Sequence, residues 1–229
     1  PSGALAGRDA VQLRPYQVRA VESVQREWSS GKRRMLLVAP TGSGKTILAQ
    51  SLVANEKVLW IAHRRELIKQ ASDRLVEAFG AEHVGVIAPG FSLDPYARIQ
   101  VATVQTLLAR DWRPQADLVV LDEAHHYPAE TWAGVATAYP SARSLGLTAT
   151  PQREDGSPLG DLFDDLVVAA HYSELIRDGY LVPCMVYEPP YVLDSDELAL
   201  DPVAAYQRYA AGSQAFCFSR LVQRATDIA

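Results

Sequence analysis

Two short stretches of this chain carry residue types whose spacing suits chemistry on a polyphosphate. The first is Ala39-Pro40-Thr41-Gly42-Ser43-Gly44-Lys45-Thr46. Gly42 and Gly44 tolerate positive φ, so this loop can turn its backbone N–H groups inward around an anion. A helix opening at Lys45 adds the positive end of its dipole. Lys45 supplies a mobile cation for the β- and γ-phosphates, and the Thr46 hydroxyl is placed to ligate Mg²⁺. Ala39 stands where the usual form of this loop has Gly. The second stretch is Asp122-Glu123-Ala124-His125-His126, directly after the apolar run 118–121. Adjacent acids repel each other unless a cation lies between them or one serves as a base. Asp122 therefore reads as the outer ligand of Mg²⁺, and Glu123 as the acceptor of a proton from attacking water. Each stretch alone has a plainer reading, a glycine-rich turn that binds nothing or a solvated acidic turn. Together in one sheet they favour ATP with Mg²⁺ as the ligand.

The two stretches can meet only at the carboxyl ends of strands in one α/β sheet, where open sheets bind ligands. The pattern predicts strands at 35–39, 58–62, 84–87, 99–102, 118–121 and 143–147. Short apolar runs of this kind suit buried parallel strands. Helices are predicted from 13 to Gly31, with Pro15 at the first helical position, and from 45 to about 54. Residues 163–170 read as strand-like, 173–179 as a short helix stopped by Gly179, and 182–187 as another strand. Gln17 lies just before the first strand, and its amide donates and accepts together, as adenine recognition requires. A solvated surface role is the alternative for it. His63, Arg64, Arg65 and Gln70 follow the strand at 58–62, where cations suit a phosphodiester backbone. Thr103 reads as a helix cap, and with Gln105 and Thr106 it could hold a second phosphate, although a plain cap has the same pattern. Thr148 and Thr150 end a strand and could bond His125, transmitting the state of the phosphate site.

At 229 residues, with 48% apolar and 21% charged content, the chain has the composition of a soluble globular protein. Its net charge of −5 argues against holding nucleic acid by bulk electrostatics, so such contact must come from local clusters. Cys184 and Cys217 are isolated thiols without metal-ligand spacing, which points to a reducing, cytoplasmic compartment. No apolar run approaches the roughly 18 residues needed to span a bilayer, so no membrane partner is expected. Pro189-Pro190 and the acids Asp194, Asp196 and Glu197 mark a linker. The expected organisation is a tail at 1–12, an ATP-binding domain at 13–189, a linker at 190–202, and the beginning of a second α/β domain at 203–229.

The order of these motifs resembles the superfamily 2 helicases, the DEAD/DEAH-box type of nucleic-acid-stimulated ATPase. Arg14 and Gln17 resemble the family's adenine-recognising motif, residues 39–46 its motif I, and Asp122 to His125 its motif II. Thr148-Ala149-Thr150 resembles motif III, which couples ATP to strand binding together with His125. Residues 63–70 look like motif Ia and 102–107 like motif Ib, which carry the strand-tracking contacts. His126 and the run Thr148 to Gly156 are similar to the restriction and repair branch of double-strand DNA translocases, so DNA is favoured over RNA. The resemblance implies a RecA-like P-loop domain, with ATP and Mg²⁺, that works against a second RecA-like domain supplying arginine fingers. Arg220 and Arg224 do not match the finger motif, so the isolated chain is expected to bind nucleotide but hydrolyse it poorly. The other readings are an ATP-binding switch or assembly module and an RNA helicase.

Overall fold

The computed structural model describes residues 12–62, 64–91, 94–109, 113–152, 156, 159, 162–183, 203, 206–207 and 211–214. Apolar alternation organises it. In β1 (Arg34–Val38), Met35 and Leu37 pack into one cluster and Leu36 and Val38 into another, so the strand is buried on both faces. The same split occurs in β2 (Val58–Ala62), where Trp60 faces one cluster and Ile61 the other, and in β5 (Leu118–Leu121). Burial on both faces demands helices on both sides, which is the condition for a parallel sheet.

With β3 (Val84–Ile87), β4 (Ile99–Thr103), β6 (Arg143–Thr148) and β7 (Asp165–Val168), these strands form a seven-stranded sheet in the order β3-β4-β2-β5-β6-β1-β7. Every pairing is parallel. Residues of α1 (Pro15–Ser29), α2 (Lys45–Leu52), α3 (Arg65–Phe79) and α6 (Tyr172–Arg177) pack into the first cluster. The second takes residues of α4 (Val104–Leu108) and α5 (Ala129–Ala138), together with Leu159 and Phe163. This is the RecA-like α/β architecture.

The strands expected between 35 and 147 are present, with β1 starting and ending one residue earlier than the pattern suggests, β4 and β6 ending one residue later, and β7 shorter than the strand-like 163–170. Helix α1 runs to Ser29, and Gly31 follows it with φ of 102°. Helix α2 ends at Leu52, short of the expected 54, and α5 was not expected. Ion pairs tie the edge strand β7 to β1: Asp164 accepts from the backbone N–H groups of Arg33 and Arg34, each at 2.9 Å, and from the Arg34 guanidinium at 2.6 Å.

The chain divides into two compact units, Pro1–Val182 and Pro183–Ala229. In the second unit Val203, Tyr206 and Gln207 are helical, and the Tyr206 hydroxyl donates to the Ser213 carbonyl at 3.0 Å. The expected linker at 190–202, Arg220 and Arg224, and both cysteines lie outside the described residues, as does all of the 182–187 strand beyond Pro183.

Candidate nucleotide site

Because all strands run parallel, the loops that follow β1, β5 and β6 leave the sheet at the same edge. Strand β6 lies between β5 and β1, so the acidic turn, the Thr148 turn and the glycine loop are neighbours. The Ala39 N–H donates to the Thr148 carbonyl at 2.9 Å and joins two of these loops directly.

The glycine loop takes the shape its composition allows. Gly42 and Gly44 have φ of 82° and 83°. Gly44 caps α2 without a side chain, so the N–H groups of the first helical turn have no side-chain acceptor and stay available to an anion. Pro40 and Ser43 are buried, Thr41 is exposed, and the Ser43 hydroxyl donates to the Pro40 carbonyl at 2.6 Å. Ser43 also presents its carbonyl to two donors, the Tyr16 hydroxyl at 2.6 Å and Gln17 Nε2 at 3.0 Å. Gln17 Oε1 in turn accepts from the Arg14 N–H at 2.9 Å. Both ends of the Gln17 amide are thus engaged within the protein, and its visible work is to pin the loop. A Cβ on Gly44 would lie 2.8 Å from Gln17 Nε2, so a side chain here would displace the Gln17 amide as well as strain the left-handed backbone.

Three residues beside this loop escaped the sequence reading. The Arg14 guanidinium lies 4.6 Å from the centroid of the Tyr180 ring, and the Tyr16 ring lies 5.5 Å from it. Leu181 Cδ2 would stand 3.1 Å from a Cβ on Gly42. Tyr180 and Leu181 hydrogen-bond back to the Leu175 carbonyl after Gly179, which folds the end of α6 against the loop. A tyrosine and a leucine directly after a glycine helix stop were the available signal. The third missed residue is Arg74 of α3, whose Nη1 donates to the Thr46 hydroxyl at 3.0 Å.

At the acidic turn, Lys45 Nζ lies 3.4 Å from Glu123 Oε1, with the two side chains 11% and 30% exposed. Burial, followed by the charge of Glu123, pushes the Asp122 carboxyl above its ordinary range, while Lys45, the Glu123 N–H and Arg74 pull it back. Glu123 is the one described non-glycine residue with positive φ, at 50°. Such backbone strain persists where the surroundings enforce it, and it collects at functional sites. Glu123 Oε2 lies 3.5 Å from His125 Nδ1.

His125 Nδ1 also lies 3.0 Å from the Thr148 hydroxyl. That hydroxyl gives its proton to the Thr150 carbonyl at 2.6 Å and accepts from the Thr150 N–H at 3.1 Å. An imidazole carrying its proton on Nδ1 would complete this arrangement by donating to the Thr148 hydroxyl. Burial, then Asp122 and Glu123, push the nearby Tyr127 phenol well up; its hydroxyl donates to the Ile61 carbonyl at 3.1 Å and braces the end of β2.

No group of three or more His, Cys, Asp or Glu residues suited to a metal occurs among the described residues. The donor set here is one hydroxyl and one carboxylate, which fits Mg²⁺, an ion that keeps waters and takes phosphate oxygens. The other predicted contacts lie farther along the same edge, where β2 and β4 pair with Ala62 opposite Thr103. Arg64 caps α3 and is exposed, Arg65 opens that helix, and Gln70 and Gln105 are exposed. The buried Thr103 hydroxyl accepts from the Thr106 N–H at 3.2 Å and donates to the Thr106 hydroxyl at 2.9 Å, so it is committed to the cap. His63 lies outside the described residues. A groove of about 400 Å³ lined by Trp28, Arg33, Glu56 and Arg143 lies at the opposite edge, where these strands begin.

A family model described as type III restriction enzyme, res subunit, matches residues 10–153. The chain is 30% identical over 192 residues to a type I restriction enzyme EcoAI endonuclease subunit of Escherichia coli, spanning 76% of this chain and 24% of that one. It is 34% identical over 175 residues to the DNA 3'-5' translocase XPB2 of Sulfurisphaera tokodaii, spanning 75% of this chain and 38% of that one. Among solved structures, the Pyrococcus furiosus Hef helicase domain superposes with a TM-score of 0.59 at 24% identity, over 75% of this chain and 40% of that one. That last likeness speaks to the fold. The chain therefore spans a quarter to two fifths of the length of these curated relatives. No described helix is long and apolar enough to cross a membrane.

Proposed function

The chain belongs to the type III restriction enzyme res-subunit family, and on that premise we propose that it is the ATP-binding motor domain of a DNA translocase or helicase. The observation that carries this reading is the 3.4 Å approach of Lys45 to Glu123 at the carboxyl edge of one parallel sheet. A cation and a base drawn from separate loops meet there, beside a glycine loop with unclaimed helix-end donors.

In this reading Lys45 and the loop N–H groups bind the β- and γ-phosphates, while Thr46 and Asp122 hold Mg²⁺. The bound nucleotide supplies the phosphoanhydride bond whose hydrolysis powers movement. Glu123 orients water and takes its proton on a carboxylate oxygen. His125, hydrogen-bonded to Thr148 and close to Glu123, links that carboxylate to the β6 turn. Gln17 and Arg14 serve the nucleotide by fixing the loop and flanking the base. Arg64, Arg65, Gln70, Gln105 and Thr106, with His63, offer contacts to a nucleic-acid backbone.

The names of the relatives, a restriction endonuclease subunit and a DNA translocase, support DNA over RNA as partner. A second RecA-like domain of the parent protein completes the motor. The test is ATP turnover with and without duplex DNA, single-stranded DNA and RNA, on this chain and on a longer one, each also carrying Glu123→Gln. A motor shows DNA-stimulated turnover in the longer chain, and E123Q removes it while ATP binding persists. A switch module shows no nucleic-acid-dependent turnover in any of them.

A further inference from the structure

Arg74 sits on an exposed stretch of α3, where an arginine ordinarily points into water or pairs with a neighbouring acid. The adjacent acid, Asp73, is taken by Lys69 at 2.7 Å. Arg74 instead reaches across to α2 and donates to the Thr46 hydroxyl at 3.0 Å, over a sequence separation of 28 residues. Its own carbonyl is fixed by Gln50 Nε2 of α2 at 3.0 Å, so the backbone that carries it is tied to the same helix as its target. The α2–α3 contact therefore delivers a guanidinium to the one hydroxyl on which the nucleotide reading relies for Mg²⁺.

We propose that Arg74 competes with the divalent cation for Thr46, raising the Mg²⁺ concentration at which the chain takes up metal-bound nucleotide. A guanidinium has donors only, and it binds Thr46 through an oxygen lone pair. Magnesium requires oxygen lone pairs in a close, ordered shell, and its charge repels a guanidinium held at hydrogen-bond distance from one of its ligands. Cation and guanidinium thus exclude each other at Thr46, and Arg74 must swing away as the metal seats. Its exposed, unbranched stem permits that movement. Arg74 is a positioning residue, and this role rests on the nucleotide reading given above.

The experiment is equilibrium binding of a fluorescent ATP analogue to the 229-residue chain across a Mg²⁺ titration, for the native sequence, Arg74→Gln and Arg74→Lys. R74Q is expected to lower the half-saturating Mg²⁺ concentration by about tenfold, the scale on which groups around metal ligands move affinity, with R74K close to the native value. Affinity at saturating Mg²⁺ and the melting temperature should stay put, since Arg74 is exposed. An unchanged or higher Mg²⁺ requirement in R74Q overturns the competition while leaving the nucleotide reading intact. Failure of the native chain to bind the analogue at any Mg²⁺ concentration overturns both.

Discussion

Asp122 pits stability against function. Burial and the neighbouring Glu123 raise its folded-state pKa, so its contribution to stability is present below the ordinary carboxylate range and is lost as pH rises through the folded value. The ionised form is therefore a cost to the fold, one that a cation bound beside it would relieve. Asp122→Asn should melt higher than the native chain at pH 7 without nucleotide, with the gap closing in acid, and should lose Mg²⁺-dependent nucleotide binding. A lower melting temperature for D122N at neutral pH contradicts this sign. Glu123 differs in kind, because its φ of 50° is a backbone property and Gln keeps it. Lys45, Thr46, Asp122 and Glu123 were legible in the sequence because each belongs to a local pattern tied to a strand end. Arg74, Tyr180 and Leu181 were not. Their contacts with Thr46, Arg14 and Gly42 cross 28 residues or more, and no local periodicity encodes such a distance.

Among elements, the strand ends decide where chemistry happens, and their registry rests on a few contacts. Asp164 holds the head of β7 on β1 through the N–H groups of Arg33 and Arg34 and the Arg34 guanidinium. Burial works against its ionised form, but those donors outweigh it and hold the carboxyl below its ordinary value. Its stabilisation is therefore present above the ordinary carboxylate pKa and disappears as pH falls through the lowered one. Asp164→Ala should cost about 1 kcal/mol in urea unfolding at pH 7, the scale of a charge-assisted contact discounted for solvent exposure, with the cost shrinking as pH falls through the lowered carboxyl value. Gly146 in β6 is fixed by packing, since a Cβ there would fall 2.5 Å from Phe163 Cζ and 3.0 Å from Leu36 Cδ1. Gly146→Ala should destabilise by about 1–3 kcal/mol, the usual range for overpacking, read from the same urea curves. The strands were legible as apolar runs bounded by turn residues. Helix α5 was not, because Ala129–Ala138 mixes small residues with Gly134 and lacks a strong apolar stripe.

For the molecule as a whole, parallel strand order is what turns separate motifs into a site. Lys45 of the glycine loop and Asp122 of the acid pair lie 77 positions apart in the sequence, and only the order β5-β6-β1 makes them neighbours. The same edge continues to β2 and β4, where the Tyr127 hydroxyl holds the Ile61 carbonyl and Ala62 stands opposite Thr103. An arginine finger from a partner domain typically contributes 10³–10⁵ in phosphoryl-transfer rate, so the isolated chain should bind ATP yet turn it over slowly by about that factor against a longer chain. The most direct test of the account is equilibrium binding of Mg²⁺-ATP to this chain, to Lys45→Ala and to Glu123→Gln. Binding by the native chain and E123Q, with K45A weakened by about tenfold or more, is the predicted result, since Lys45 contributes a charge-assisted contact to phosphate. Equal binding by K45A, or none by the native chain, would contradict the claim that this loop and these acids grip one nucleotide.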